Sequence, residues 1–313
     1  MRKILVLGGT GFVGRHVCEK LASADHSITV ATRRLDAARA VLSLPRVVPV
    51  VADVHDPAQL ASLVAGHDAV INLVAILHGS ADAFEKAHVR LPAQLAQACA
   101  ATGVRKLVHV SALGAAADAP SAYQRSKAAG EAALQKSGLD LHILRPSVIF
   151  GADDKFLNLF AKLQAVFPVM PLGGATTRFQ PVWVEDVAEA VVRLGTGAAA
   201  LPSVMEACGP DIWTLRELVE LAGRLTGHPR PVVPLPNALA RLQAAMLELA
   251  PGEPMMSRDN LDSMRVDNVA SGQLPGLGAL GIQPAALSAV APQYLGHKGP
   301  RSRLTDLRKT AGR

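Results

Sequence analysis

The chain has 313 residues, half of them hydrophobic, enough for one large core and a smaller lobe. Its net charge of +6 is concentrated at one end: six cations stand against one anion between His297 and Arg313. That leaves a nearly neutral body and excludes a nucleic-acid-binding surface. Three scattered cysteines (Cys18, Cys99, Cys208) and ten dispersed histidines give neither a disulfide framework nor metal-ligand spacing, so a reducing cytoplasm and no metal are expected.

The first predicted strand, 3–7, runs into Gly8-Gly9-Thr10-Gly11-Phe12-Val13-Gly14 and a helix over 12–24, with Phe12, Val13, Val17 and Leu21 on one face. The first helix follows the glycine turn directly, without a positively charged n-region leading into an apolar h-region, and no run of about 18 uncharged apolar residues occurs later, so neither a signal peptide nor a membrane span is expected. Gly8 permits the sharp turn, Gly11 lets the backbone approach a ligand, and Gly14 lets the helix pack closely. A helix N-terminus carries about half a positive charge and free N–H donors, so this turn is a site for a dinucleotide pyrophosphate. Gly8, Thr10, Gly11, Phe12, Val13 and Gly14 are its candidate residues.

Strands follow at 28–32, 47–51, 69–74, 106–110 and 141–144, with helices at 35–42, 57–65, 83–101 and 123–136 between them. Pro92 predicts a kink or a late start in the third of these helices. Near-continuous apolar strands alternating with helices mean an α/β fold, a doubly wound parallel (Rossmann) sheet with its crevice at the strands' carboxyl ends. Beyond the second strand stand Arg33 and Arg34, where an NAD-specific site would place an acid for the ribose 2′-hydroxyl. A guanidinium fork suits a 2′-phosphate instead. NADP(H) is therefore preferred over NAD(H), with Arg33 the better candidate. Asp53-Val54 follows the third strand, where Asp53 either meets the cofactor or caps the next helix. Asn72-Leu73-Val74-Ala75 closes the fourth, with Asn72 either lining the cofactor or serving as a buried, bonded amide.

The candidate chemistry lies at Ser111, Tyr123 and Lys127. Tyr123 and Lys127 are four apart on one helix face. A lysine beside a phenol is expected to lower its pKa from about 10 and make it a workable acid or base, while Ser111 would hold a substrate carbonyl. Alternatively, Tyr123 and Lys127 only seat the cofactor. After about residue 150 the alternation weakens. Helices at 185–194, 215–225 and 238–249 build a smaller, mainly helical C-terminal lobe. The expected domains are 1–150, 151–296 (with about 178–200 returning to the first) and a disordered basic tail, 297–313. Glu185-Asp186 reads as helix capping rather than a catalytic pair. The stripe Leu235, Leu239, Leu242, Met246, Leu249 with Met255-Met256 reads as lobe core, or as a face for a membrane or partner.

The glycine turn, Ser111-Ala112-Leu113-Gly114-Ala115, Tyr123-Gln124-Arg125-Ser126-Lys127, Arg145-Pro146-Ser147-Val148-Ile149-Phe150-Gly151 and Phe179-Gln180-Pro181-Val182-Trp183-Val184-Glu185-Asp186 together resemble the extended and atypical short-chain dehydrogenase/reductases. The likeness covers nearly the whole chain. It is nearest to the branch containing the NADPH-binding accessory subunit of respiratory complex I and its bacterial relatives. The resemblance implies that Asp53, Val54 and Asn72 to Ala75 line the cofactor. It also implies that Arg145-Pro146 passes beneath the nicotinamide, and that Ser111, Tyr123 and Lys127 form the Ser-Tyr-Lys set, with Lys127 on the nicotinamide ribose. It implies either a reductase acting on a small carbonyl compound or an accessory protein that holds NADPH without turnover. An epimerase or dehydratase of sugar nucleotides is a weaker reading, since the second lobe shows no clear basic clamp. Respiratory-complex subunits, or an acidic lipid surface at the inner face of the membrane, would be met through the C-terminal lobe and basic tail.

Overall fold

β1 (Lys3–Leu7) carries four successive residues, Ile4 to Leu7, with no solvent exposure, as a strand covered on both faces must. In this computed structural model, residues 1–197, 201–249, 252 and 254–296 are described, and the basic segment 297–313 lies outside them. The chain forms two compact units. The first comprises Met1–Ser147, Val184–Cys208 and Ala270–Gln283, and the second Val148–Trp183, Gly209–Val269 and Pro284–Arg313.

After β1 come α1 (Phe12–Ser23), β2 (Ser27–Thr32), α2 (Arg39–Leu42), β3 (Val47–Val51), α3 (Pro57–Val64), β4 (Ala69–Asn72) and α4 (Ala81–Glu85). A π-helical segment, Lys86–Arg90, leads into α5 (Leu91–Thr102), β5 (Lys106–Val110), α6 (Ala122–Gln135) and β6 (Asp140–Pro146). The second unit begins with β7 (Ile149–Phe150), α7 (Leu157–Val166), β8 (Met170–Leu172), β9 (Arg178–Phe179) and β10 (Val182–Trp183). α8 (Val184–Thr196) and β11 (Val204–Ala207) belong to the first unit again. β12 (Trp213–Thr214), α9 (Leu215–Thr226), β13 (Val232–Pro234), α10 (Asn237–Glu248), α11 (Arg258–Ser263) and α12 (Leu287–Leu295) belong to the second.

The first unit is a seven-stranded sheet in the order β11-β6-β5-β4-β1-β2-β3, and every neighbouring pair runs parallel. The doubly wound sheet expected from the alternation of strands and helices is what forms. Strand order reverses between β1 and β4, so the ends of β1, β4 and β5 border the switch-point crevice. Leu5, Leu7, Val70 and Leu107 from the sheet pack with Leu60, Leu95 and Leu134 from α3, α5 and α6.

The structure differs locally from the sequence expectation at four places. β4 stops at Asn72, not at 74, because the Asn72 side-chain oxygen accepts the Val74 N–H at 3.2 Å and turns the chain. The helix expected over 35–42 is a 3₁₀ turn, Leu35–Ala38, followed by the short α2. The helix expected over 83–101 is broken at the π-helical segment just before Pro92. Pro92 has no N–H for the His88 carbonyl four residues back, and α6 comes close there, since a Cβ on Gly130 would sit 1.9 Å from that oxygen. β11 is an added strand, whose Glu206 blurs the apolar pattern. The Glu206 carboxylate accepts the Ser271 N–H at 2.8 Å, so its burial is compensated.

In the second unit Phe150, Phe160, Leu172, Leu218, Val219 and Leu287 share one core. Among its described residues, five helices stand with three two-stranded pairs, β10–β7, β12–β9 and β13–β8. α9 opens with a full capping box, Thr214 with Glu217, and ends at a left-handed Gly227, both of which satisfy backbone groups at its termini. The core reading of the 235–256 stripe is corrected here. α10 buries Ala240 and Ala244, whereas Leu239, Leu242, Met246, Leu249 and Met255 are exposed, Leu249 to 86%. Small alanines allow the close helix contact, and Leu235 and Met256 alone of the stripe lie partly buried against it. No helix among the described residues is long and apolar enough to cross a membrane.

Candidate functional site

The site is built from loops at the carboxyl edge of the first unit's sheet. Gly8 sits at φ +80, and a Cβ there would press on Leu73 and Val74 at 3.1–3.2 Å. The glycine turn and the segment after β4 are thus in contact. Gly14 is fixed by its own turn: a Cβ would meet the Gly8 oxygen at 2.2 Å. At Gly11 only one atom, the Gly8 oxygen at 3.2 Å, lies near a would-be Cβ, so that face of the turn is open. Gly11 is also the N-cap of α1 and gives no side-chain cap. The first N–H groups of the helix therefore remain available to an anion.

Parallel pairing of Thr32 with Val51 brings the loops after β2 and β3 together, and the Ala52 N–H donates to the Thr32 carbonyl at 3.0 Å. Arg33 and Arg34 are both exposed. Arg34 pairs with Asp36 at 3.2 Å, while the Arg33 guanidinium makes no hydrogen bond or ion pair with the described residues. Asp53 is exposed, and its carboxylate accepts the His55 N–H at 3.0 Å. It does not cap α3, which is Asp56's role through the N–H groups of Ala58 and Gln59.

Ser111, Tyr123 and Lys127 come from the end of β5 and the first turns of α6. Ser111 is buried at 4% exposure, and its hydroxyl has no hydrogen-bond partner. Lys127 is buried at 1%, with Nζ donating to the Val110 carbonyl at 2.8 Å, one residue before Ser111. Burial pulls the Lys127 ammonium down to about 8, with Glu131 opposing. Tyr123 departs from the expectation: burial pushes its phenol up to about 12, and no lysine contribution offsets this. Desolvation of the phenolate outweighs the attraction of an ammonium already committed to a carbonyl.

Two buried histidines that sequence reading passed over complete this region. His88 accepts the Ile76 N–H at its Nε2 (3.1 Å), so Nδ1 carries the proton and donates to Ser126 Oγ at 2.8 Å. Ser126 in turn donates to the Tyr123 carbonyl at 2.7 Å. Burial and the neighbouring Lys127 charge take His88 down to about 3. Its ring lies edge-on to Tyr123 at 5.5 Å and stacks on Phe84. His109 pairs in register with Asn72. Because the Asn72 oxygen accepts from Val74, its amide donates to His109 Nδ1 at 3.1 Å. The proton is then on His109 Nε2, which is buried without a partner. The sequence signals were present: His109 precedes Ser111 by two on one strand face, and His88 precedes Pro92 by four.

Arg145 is committed to the buried Glu131, with Nε 3.0 Å from the carboxylate, and Pro146 accepts the Leu113 N–H at 2.9 Å. Glu185 in the first turn of α8 takes His16 at 2.6 Å and Lys20 at 3.1 Å, with Glu19 3.8 Å from His16. Lys20 pairs with both Glu185 and Glu189, so the cluster reads as an ion-pair network.

Chemically, the turn offers donors to a pyrophosphate, Arg33 an unspent charge, Tyr123 a phenol that stays protonated at neutral pH, and Ser111 an unspent hydroxyl in a buried setting. A family model described as NAD(P)H-binding matches residues 8–194. Mitochondrial NADH dehydrogenase (ubiquinone) 1 alpha subcomplex subunit 9 of Mus musculus is 31% identical over 297 residues, covering 93% of this chain and 78% of that protein. A ceramide reductase of Caulobacter vibrioides is 29% identical over 240 residues, covering 75% of this chain and 74% of that one. Among solved structures, an NADPH-dependent quinone oxidoreductase of Escherichia coli, complexed with NADPH, shares the fold with a TM-score of 0.73 at 19% identity. It covers 92% of this chain and 98% of that one.

Proposed function

This chain belongs to the NAD(P)H-binding family, and we propose from that premise that it prefers NADPH and reduces a small carbonyl compound. The observation that carries the cofactor preference is Arg33, an exposed guanidinium just beyond β2 that makes no hydrogen bond or ion pair with the described residues and stands where an NAD-specific site would place an acid. The residues fit the cofactor at two further points, the uncapped start of α1 and the open face at Gly11, and the orphaned Ser111 hydroxyl is left for a substrate. Gly8, Thr10, Gly11, Phe12, Val13 and Gly14 hold the pyrophosphate. Asp53 and Val54 border the adenine, and Asn72 to Ala75 form the wall beside the turn.

Bound NADPH supplies a hydride. Ser111 Oγ donates to the carbonyl oxygen and orients it. Tyr123, protonated at neutral pH, gives its proton to that oxygen as charge develops there. Lys127 holds the cofactor ribose and, near its pKa of about 8, restores the phenol's proton. Arg145 serves the site through Glu131, which faces Lys127.

Arg33→Ala is expected to weaken NADPH by roughly 10- to 100-fold and to leave NADH nearly unchanged, the loss typical of a charge-assisted contact. Tyr123→Phe is expected to keep NADPH binding and to lower carbonyl-dependent NADPH oxidation by about 10²- to 10⁴-fold. Equal losses of both nucleotides in the first variant, or full turnover in the second, would remove the corresponding assignment.

One observation favours a second reading, an accessory subunit that holds NADPH without turnover in a respiratory complex. The α10 stripe of the second unit is exposed rather than packed, and the subunit of Mus musculus is a relative over most of this chain. In that role the second unit and the basic segment 297–313 meet a partner subunit or acidic lipid at the inner membrane face. Retained NADPH that no carbonyl panel oxidises, with Leu242→Glu abolishing co-migration with a large membrane complex, is its signature.

A further inference from the structure

The segment that follows β4 links the glycine turn to the helix that carries Tyr123. At its near end the Leu73 N–H donates to the Leu7 carbonyl at 2.9 Å, and Leu73 and Val74 lie 3.1–3.2 Å from where a Cβ on Gly8 would sit. At its far end the Ile76 N–H donates to His88 Nε2 at 3.1 Å. That bond requires an unprotonated Nε2, so Nδ1 is the donor in the 2.8 Å bond to Ser126 Oγ. Ser126 donates its own hydrogen to the Tyr123 carbonyl at 2.7 Å. A hydrogen-bonded relay therefore runs from the wall beside the turn, through one imidazole, to the first turn of α6. The ring is fixed on its other sides as well. It is 1% exposed, stacks on Phe84 with centroids 5.5 Å apart, and lies T-shaped to Tyr123 at 5.5 Å. Phe84 in turn meets Tyr123 at 6.2 Å. Burial and the Lys127 charge keep the ring neutral at working pH, so the order of donors and acceptors persists.

We propose that His88 is a positioning residue that couples nucleotide binding to the placement of Tyr123. NADPH seated against the glycine turn and Asn72 to Ala75 fixes the backbone up to Ile76, and the Ile76–His88–Ser126 relay passes that order to the Tyr123 turn of α6. This coupling rests on the reading of the turn and the segment after β4 as the nucleotide site, and it holds whether or not the nucleotide turns over.

Amide hydrogen exchange of the full chain, with and without saturating NADPH, reads both ends of the relay. In the wild type NADPH is expected to slow the amides of Leu73 and Val74, and to slow those of Arg125 to Lys127 by about threefold to tenfold, the factor that one net hydrogen bond carries. His88→Leu and Ser126→Ala are expected to keep the first effect and lose the second. The effect kept at Leu73 and Val74 shows that a variant is folded and binds. Ser126→Ala, which removes only a half-buried hydroxyl, decides alone if His88→Leu does not fold. A histidine with a merely structural role would change exchange in the free protein and leave the NADPH-induced change at α6 in place. Protection of α6 by NADPH that survives in either folded variant, as direct contact between nucleotide and helix would give, overturns the coupling. So does a wild type in which NADPH slows Leu73 and Val74 alone. A wild type in which NADPH slows neither segment removes the nucleotide site itself.

Discussion

Lys127 is the residue where function and stability oppose each other. It is buried at 1% exposure, and its pKa of about 8 lies below the ordinary 10.5 because burial disfavours the ammonium. Between those two values the unfolded chain binds more protons than the native one. The charged side chain therefore costs the fold about 3 kcal/mol below pH 8, and the cost fades as pH rises toward 10.5. Lys127→Met is expected to raise the unfolding free energy by about 1–3 kcal/mol at pH 7 and by much less at pH 10, while NADPH binding weakens. Urea unfolding at the two pH values measures this. A variant less stable than the wild type at pH 7 would contradict the burial account. At this scale the sequence reading expected a phenol lowered by its lysine, and the electrostatics of Tyr123 run the other way. The four-residue spacing of Tyr123 and Lys127 placed both on α6, yet a spacing carries no information on how far each group leaves water. That depth is what pushes Tyr123 up to about 12.

At the scale of elements, the β1–turn–α1 unit separates two roles that glycine plays. Gly14 is locked against the backbone of Gly8 and Gly9, whereas Gly11 borders open space beyond the Gly8 oxygen. Gly14→Ala is expected to unfold or severely destabilise the chain. Gly11→Val is expected to leave a cooperative thermal transition intact and to abolish NADPH binding, because a branched side chain at the open face blocks approach to the helix N–H groups. Circular dichroism melts with a nucleotide titration distinguish them, and a Gly11→Val chain that binds as the wild type does would sink the turn as the pyrophosphate site. Six sheet strands could be read from apolar runs because a parallel strand buried on both faces leaves that mark. β11 could not, since its Glu206 is satisfied by Ser271, a partner distant in sequence. The π-helical segment was foreshadowed only by Pro92, and the seating of the His88 carbonyl against Gly130 depends on a contact between helices that no local pattern encodes.

For the whole molecule, charge and apolar surface are distributed unevenly. The basic end of the sequence holds most of the net charge, and the second unit displays Leu239, Leu242, Met246 and Leu249 along α10. The helical period that predicted a stripe was correct, and of the two directions it left open the core one fails, because Ala240 and Ala244 supply the packed face. The first unit meanwhile holds the glycine turn, the Arg33 corner and the Ser111–Tyr123–Lys127 group on one sheet. NADPH binding by that unit is the central expectation. Its most direct test is a fluorescence titration of the nucleotide-stripped full chain with NADPH and with NADH. Saturable binding of one NADPH per chain, tighter than NADH and lost in Gly11→Val, is the predicted result. A folded chain that binds neither nucleotide, or binds NADPH equally well with Gly11 replaced, would contradict it.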